Sequence, residues 1–182
     1  MHSSEIAGTS VPQDDTLPAD PAALAALVRE RLSRRMIVAV LAPPEGPTND
    51  LLALADALAT FPGARVAYEQ VLTDLETFLT RLHSLGPDVV LVGAVEASAP
   101  APVEHPWHQR VFTIADRIGL CDRSFVALVG PYVTRPSART AGFEDGFPLD
   151  TPIDKLLPAL AREALARDEF RRQGSSPPCY LR

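Results

Sequence analysis

The sequence holds only two cysteines, Cys121 and Cys179, and their separation fits neither a C-x-x-C redox pair nor a metal knuckle. With no disulfide framework to build, a reduced, intracellular chain is the expectation. No stretch approaches the roughly 20 apolar residues of a membrane span. Residues 1–20 have neither the basic start nor the apolar run of a secretory signal, so a cytoplasmic location with no membrane partner is expected. No G-x-G-x-x-G cradle is present for a dinucleotide. Ser124 precedes an apolar run and Ser137 has no G-x-S-x-G surroundings, which leaves a serine hydrolase without a nucleophile elbow. Lysine is nearly absent: Lys155 stands alone among 17 basic residues, a usage that no site requires. The net charge of −6 argues against a surface that collects phosphate backbone by counterion release, and so against direct nucleic-acid binding.

What is present has the balance of one globular domain. The 182 residues are 46% hydrophobic and 22% charged, enough for a single core with tails. Residues 1–20 are small, polar and acidic, with too little apolar surface to offset the entropy of ordering them, and read as a tail. Residues 21–35 read as a helix: Asp20 can cap it, Pro21 suits its first position, and Leu24, Leu27, Val28 and Leu32 recur at helical spacing. Residues 36–172 then alternate strand and helix. Strands are expected at Met36–Ala42, Ala64–Gln70, Asp88–Gly93, Phe125–Val129 and Gly146–Leu149. Helices are expected at Asp50–Thr60, Thr73–Ser84, Trp107–Ile118, Pro136–Ala141 and Thr151–Arg172, the last capped by Thr151. Residues 173–182 read as a second tail. This alternation predicts an α/β fold with a five-stranded parallel sheet covered on both faces, in the flavodoxin-like order 2-1-3-4-5, with an extra helix at its N-terminal side.

Leu51-Leu-Ala-Leu-Ala-Asp-Ala-Leu-Ala-Thr-Phe-Pro-Gly-Ala-Arg-Val66, Pro87-Asp-Val-Val-Leu-Val-Gly93, and Ala141-Gly-Phe-Glu-Asp-Gly-Phe147 through Thr151-Pro-Ile-Asp-Lys-Leu-Leu157 together resemble the receiver domain of bacterial response regulators, a CheY-like fold, in the variety joined to LuxR-type DNA-binding domains. The resemblance implies phosphorylation of an aspartate at the end of the third strand, held with Mg²⁺ by an acidic pair after the first. Here the aspartate position is Gly93, the acidic pair reads Ala42-Pro43, the hydroxyl position after the fourth strand is Gly130, and the lysine position is Asp150 or Thr151. The family's frame is carried over and its phosphotransfer is not. Phe147 matches the aromatic position that moves when a receiver switches. No helix-turn-helix region follows the last helix, so no element for promoter binding is expected. The reading is a pseudo-receiver.

Glu104-His105-Pro106-Trp107-His108 is the most unusual cluster. Two imidazoles and a carboxylate suit Zn²⁺, but a proline and a helix start separate them and no distant third ligand is indicated, so packing at a helix start is the expectation for Trp107 and His108. Val126-Ala-Leu-Val-Gly-Pro-Tyr-Val-Thr134 also resembles a stretch of the cobalamin-binding domains attached to some radical enzymes, which often ligate cobalt with a histidine after the first strand; residues 43–48 contain none. Cys121 reads as a small buried hydrophobe, and the tail around Cys179 and Tyr180-Leu181 as a disordered end or a docking peptide. No catalysis, metal or cofactor is expected. The sequence predicts a phosphorylation-independent module that binds an unidentified protein in signalling or transcriptional control. The alternative is a small-ligand domain of nucleotide or cobalamin type, with the loops Pro43–Thr48 and Ala94–Trp107 as its pocket mouth and Glu104, His105, Trp107 and His108 as the candidate ligand loop. The stripe of Leu24, Leu27, Val28 and Leu32 on the first helix, with Phe147, is the candidate interface, and a homodimer is expected through that helix or through the last, which carries Leu156, Leu157, Leu160 and Leu165 with Arg162, Glu163, Arg167, Asp168 and Arg171 as its exposed face.

Overall fold

The structure is a computed structural model that describes residues 17–44, 48–72, 74–94 and 106–174. Its centre is a parallel sheet of β1 (Met36–Ala42), β2 (Ala64–Gln70), β3 (Val89–Gly93), β4 (Phe125–Gly130) and β5 (Asp145–Pro148). The strand order is β2-β1-β3-β4-β5, the expected flavodoxin-like winding. The helices are α1 (Pro21–Leu32), α2 (Asn49–Ala59), α3 (Leu75–Leu85), α4 (Trp107–Arg117), α5 (Leu120–Arg123), α6 (Arg135–Thr140) and α7 (Ile153–Arg172). No helix among the described residues is long and apolar enough to cross a membrane.

Side chains alternate across the sheet and so feed two cores. Val38, Val40, Val89, Leu91 and Phe125 meet α1, α2 and α7, while Ala39, Leu41, Val90, Val92, Val126 and Leu128 meet α3, α4, α5 and α6. Strands β3 and β4 are buried along their whole length, which is why their sequence is a near-continuous apolar run. Local chemistry sets several helix ends. Asp20 accepts from the Ala23 amide at 2.8 Å and Asp74 from the Thr77 amide at 2.8 Å; Thr134 and Ser137 form a reciprocal capping box at α6. Gly86, at φ 62°, ends α3 in the left-handed region that glycine enters without strain.

Several expectations are corrected. The α1 stripe is not a free interface: Leu24, Val28 and Leu32 belong to the core against α7 and β1, and Leu27 is half-buried. Only three residues separate α1 from β1, too little chain to let the helix swing away. The α7 stripe of Leu156, Leu157 and Leu160 covers the same core, so neither helix keeps an apolar stripe for a dimer. Thr151 does not cap α7; Pro152 holds the cap position, and the Thr151 hydroxyl donates instead to the Pro148 carbonyl at 2.6 Å. Arg167 is 4% exposed rather than on the outer face. The short helix α5 has no counterpart in the sequence reading, because four residues are too few to show periodicity. Thr73, residues 45–47 and 95–105, and both tails, with Cys179, lie outside the described residues.

Candidate functional site

In an open parallel sheet, ligands meet the carboxyl ends of the strands where the winding reverses, here between β1 and β3. Leu41 pairs with Val92 across that boundary, so Ala42 and Pro43 lie beside Gly93, and Gly93 in turn pairs with Val129, one residue before Gly130. The structure thus brings Ala42, Pro43, Gly93 and Gly130 together on three neighbouring strand ends, all four buried. Asp150 is exposed and Thr151 half-buried, both just beyond β5, whose end is tied in by the Leu149 amide donating to the Gly130 carbonyl at 3.1 Å.

The two glycines are filled around rather than left hollow. A Cβ on Gly93 would lie 2.4 Å from Leu51 Cδ1 and 3.2 Å from the Leu41 carbonyl oxygen. One on Gly130 would lie 2.8 Å from Ala94 Cβ and 2.9 Å from Val133 Cγ2. Leu51, from the first turn of α2, therefore occupies the place that an aspartate side chain would need. The cover over Gly93 is the movable tip of a leucine; that over Gly130 is a methyl and a β-branched side chain, stiffer at χ1. Among the described residues that follow these strand ends, Pro44, Pro131 and Tyr132 are exposed, Tyr132 at 84%. Neither Ala42 nor Pro43 is acidic, and among the described residues no group of three or more His, Cys, Asp or Glu is placed to hold a metal ion. Gly93 has no side chain to act as a nucleophile, and Ala42-Pro43 offers Mg²⁺ no carboxylate.

Of the Glu104–His108 cluster, Glu104 and His105 lie outside the described residues. Trp107 is half-buried against the α3–α6 core. The His108 ring lies 6.4 Å from that of Phe143, its Nδ1 is buried without a hydrogen-bond partner, and burial pushes its pKa below the usual imidazole value. Phe147 is half-buried and packs on the opposite core. Burial pushes the Cys121 thiol up to about 12, so it is a packed sulfur and not a nucleophile.

Two buried ionic clusters escaped the sequence reading, and both sit away from the carboxyl edge. Asp88, immediately before β3, accepts both arms of Arg34, at 2.6 and 2.8 Å, and the Ile37 amide at 2.8 Å, with Arg171 of α7 at 3.3 Å. Its carboxylate raises the pKa of Arg34, chiefly through the hydrogen bond. Arg167 donates to Glu144 and to the Cys121 carbonyl and lies over the Phe125 ring, 5.8 Å from its centroid. Burial raises the Glu144 pKa, and Arg167 opposes that rise. A signal for Arg167 existed: Leu160, Ala164 and Arg167 follow one another at helical spacing on the buried face of α7.

No protein-family model matches the sequence, and no curated protein matches it. Among solved structures the chain is similar to a novel cobalamin-binding protein from Desulfitobacterium hafniense DCB-2, with a TM-score of 0.56 and 11% identity, over 79% of this chain and 69% of that one. At that identity the likeness is one of fold.

Proposed function

We propose that the chain is a non-catalytic binding domain that seats a broad, flat macrocycle of the corrinoid class on the carboxyl edge of its sheet, without a histidine ligand to the metal. The observation that carries this reading is the trio of side-chain-poor strand ends, Ala42-Pro43, Gly93 and Gly130, followed by the exposed apolar residues Pro44, Pro131 and Tyr132. The fold likeness to a cobalamin-binding protein and the resemblance carried by Val126–Thr134 favour a corrinoid over a nucleotide. Residues 43–48 contain no histidine, so the residues suit a macrocycle held by shape and apolar contact and do not suit one anchored through cobalt by that loop. The Leu51 tip would move aside, and Tyr132 would lie against the ring. Titration with hydroxocobalamin and with adenosylcobalamin tests this. The melting temperature is expected to rise with ligand excess by mass action, while the visible spectrum keeps the axial ligation of free cobalamin. Gly130→Val should abolish the shift. An unchanged melting temperature with both corrinoids overturns the reading.

The second reading is the pseudo-receiver module that binds another protein, and the exposure of Tyr132 favours it, because a large aromatic on an apolar rim is what binding hot spots use. A photo-crosslinking residue at position 132 should then give one dominant protein adduct in cells that Pro131→Asp removes; no adduct defeats it.

A further inference from the structure

We propose that β2 is a homodimer edge, pairing antiparallel with β2 of a second copy about a two-fold axis at Ala67, so that one sheet runs through both molecules. β2 ends the sheet: β1 is its sole strand neighbour among the described residues. The Val71 amide donates to Ala42 of β1, and the Gly63 carbonyl accepts from Met36. Odd-numbered residues therefore point their backbone groups at β1, and residues 64, 66, 68 and 70 point theirs outward, where the described structure gives them no partner strand.

A two-fold axis at Ala67, the midpoint of the strand, sets residues whose numbers sum to 134 opposite each other. Each outward-pointing residue then meets another: 66 and 68 exchange both backbone hydrogen bonds, while 64 and 70 share one, the Ala64 carbonyl accepting from the Gln70 amide, because the Ala64 amide already donates to the Phe61 carbonyl at 3.1 Å. The side chains fit the same register. Arg65, Ala67 and Glu69 share the α3 side of the sheet, and at this edge strand all three are exposed; neither the Arg65 nor the Glu69 side chain makes an ion pair or hydrogen bond among the described residues. The register sets Arg65 opposite Glu69 of the second copy, twice by symmetry, with the small Ala67 meeting itself between them. On the other face, half-buried Val66 meets Tyr68 of the second copy, a favourable β-branched and aromatic cross-strand pair. Shifting the axis by one residue puts Arg65 opposite Ala67 or Val71 and breaks both charge pairs. The edge is self-complementary in charge, as a two-fold interface must be. It also gives Leu72, 72% exposed just past β2, a place at the level of exposed Pro62 of the second copy.

Sedimentation velocity of the full chain is expected to show a dimer. Arg65→Glu and Glu69→Arg each place like charges opposite at two sites and should weaken it about tenfold or more, with melting of the monomer unchanged because both positions are exposed; the double swap should restore it. In a Cys179→Ser background, Ala67→Cys should form an intermolecular disulfide, since a non-hydrogen-bonded pair brings its Cα atoms to about 4.5 Å. Arg65→Cys should not, as the two copies of residue 65 stand several residues apart. A monomeric wild-type chain, a dimer indifferent to the single reversals, or equal crosslinking at 65 and 67 overturns the proposal.

Discussion

The carboxylate of Asp88, with no exposed surface, receives the Arg34 guanidinium through two hydrogen bonds of 2.6 and 2.8 Å. Arg34 lies in the short link between α1 and β1, and Asp88 opens β3, so this pair fastens the additional N-terminal helix to the middle of the sheet. Arg171 reaches the same carboxylate from the end of α7. One buried acid thus ties together both ends of the described chain.

Asp88→Asn should leave the fold recognisable and cost about 3 kcal/mol of unfolding free energy in urea. That is the low end for breaking a buried ion pair, because Arg34 is 38% exposed and its stranded charge can turn to water. A loss below about 1 kcal/mol would show that the clasp is ornamental.

Gly93→Asp should destabilise the domain by about 1–3 kcal/mol, the usual range for overpacking, because its Cβ meets Leu51 Cδ1 at 2.4 Å. Adding Leu51→Ala should recover part of the overpacking term. Neither protein should take up an acid-labile phosphoryl group from a small phosphodonor with Mg²⁺, as Ala42-Pro43 offers the metal no carboxylate; intact-mass measurement reads this.

Burial lowers the pKa of His108 from its ordinary 6.5. The unfolded chain therefore takes up this proton first on acidification. The stabilisation is complete above pH 6.5 and is lost as pH falls through the lower folded value. The stability difference between the wild type and His108→Gln should thus shrink from pH 8 to pH 5 in urea unfolding. A difference that is flat with pH would place the imidazole in water.

In a Cys179→Ser background, Cys121 should be inert to iodoacetamide at pH 8 and react once the protein is unfolded. A pKa of about 12 leaves about one thiolate in ten thousand at that pH, and the side chain is buried besides. Mass spectrometry with and without urea checks it; rapid native alkylation would contradict the burial.

The sequence by itself determined the layers and the parallel strands. Apolar runs such as Val89–Gly93 have to be buried on both faces, and strands separated by amphipathic helices pack in parallel, so the class follows from local pattern, while the order 2-1-3-4-5 was an expectation that the sheet bears out. It also determined what the carboxyl edge is missing, since the absence of acids at Ala42, Pro43 and Gly93 needs no coordinates. Tertiary structure decided what fills those positions. That Leu51 lies over Gly93, from a helix about forty residues away in the chain, is a packing contact with no periodic signature. The ionic clusters were hidden for the same reason. Arg167 read as a surface residue, and Asp88 as the plain start of a strand, because charge pattern reports which face of an element is polar, and not whether a distant Glu144 or Arg34 will neutralise a charge in the interior. The partner stripes were misplaced likewise: an apolar helix face is the same whether a second molecule covers it or its own sheet does. Only the short link from α1 to β1, folded back onto the sheet, settled that the covering surface is the chain's own.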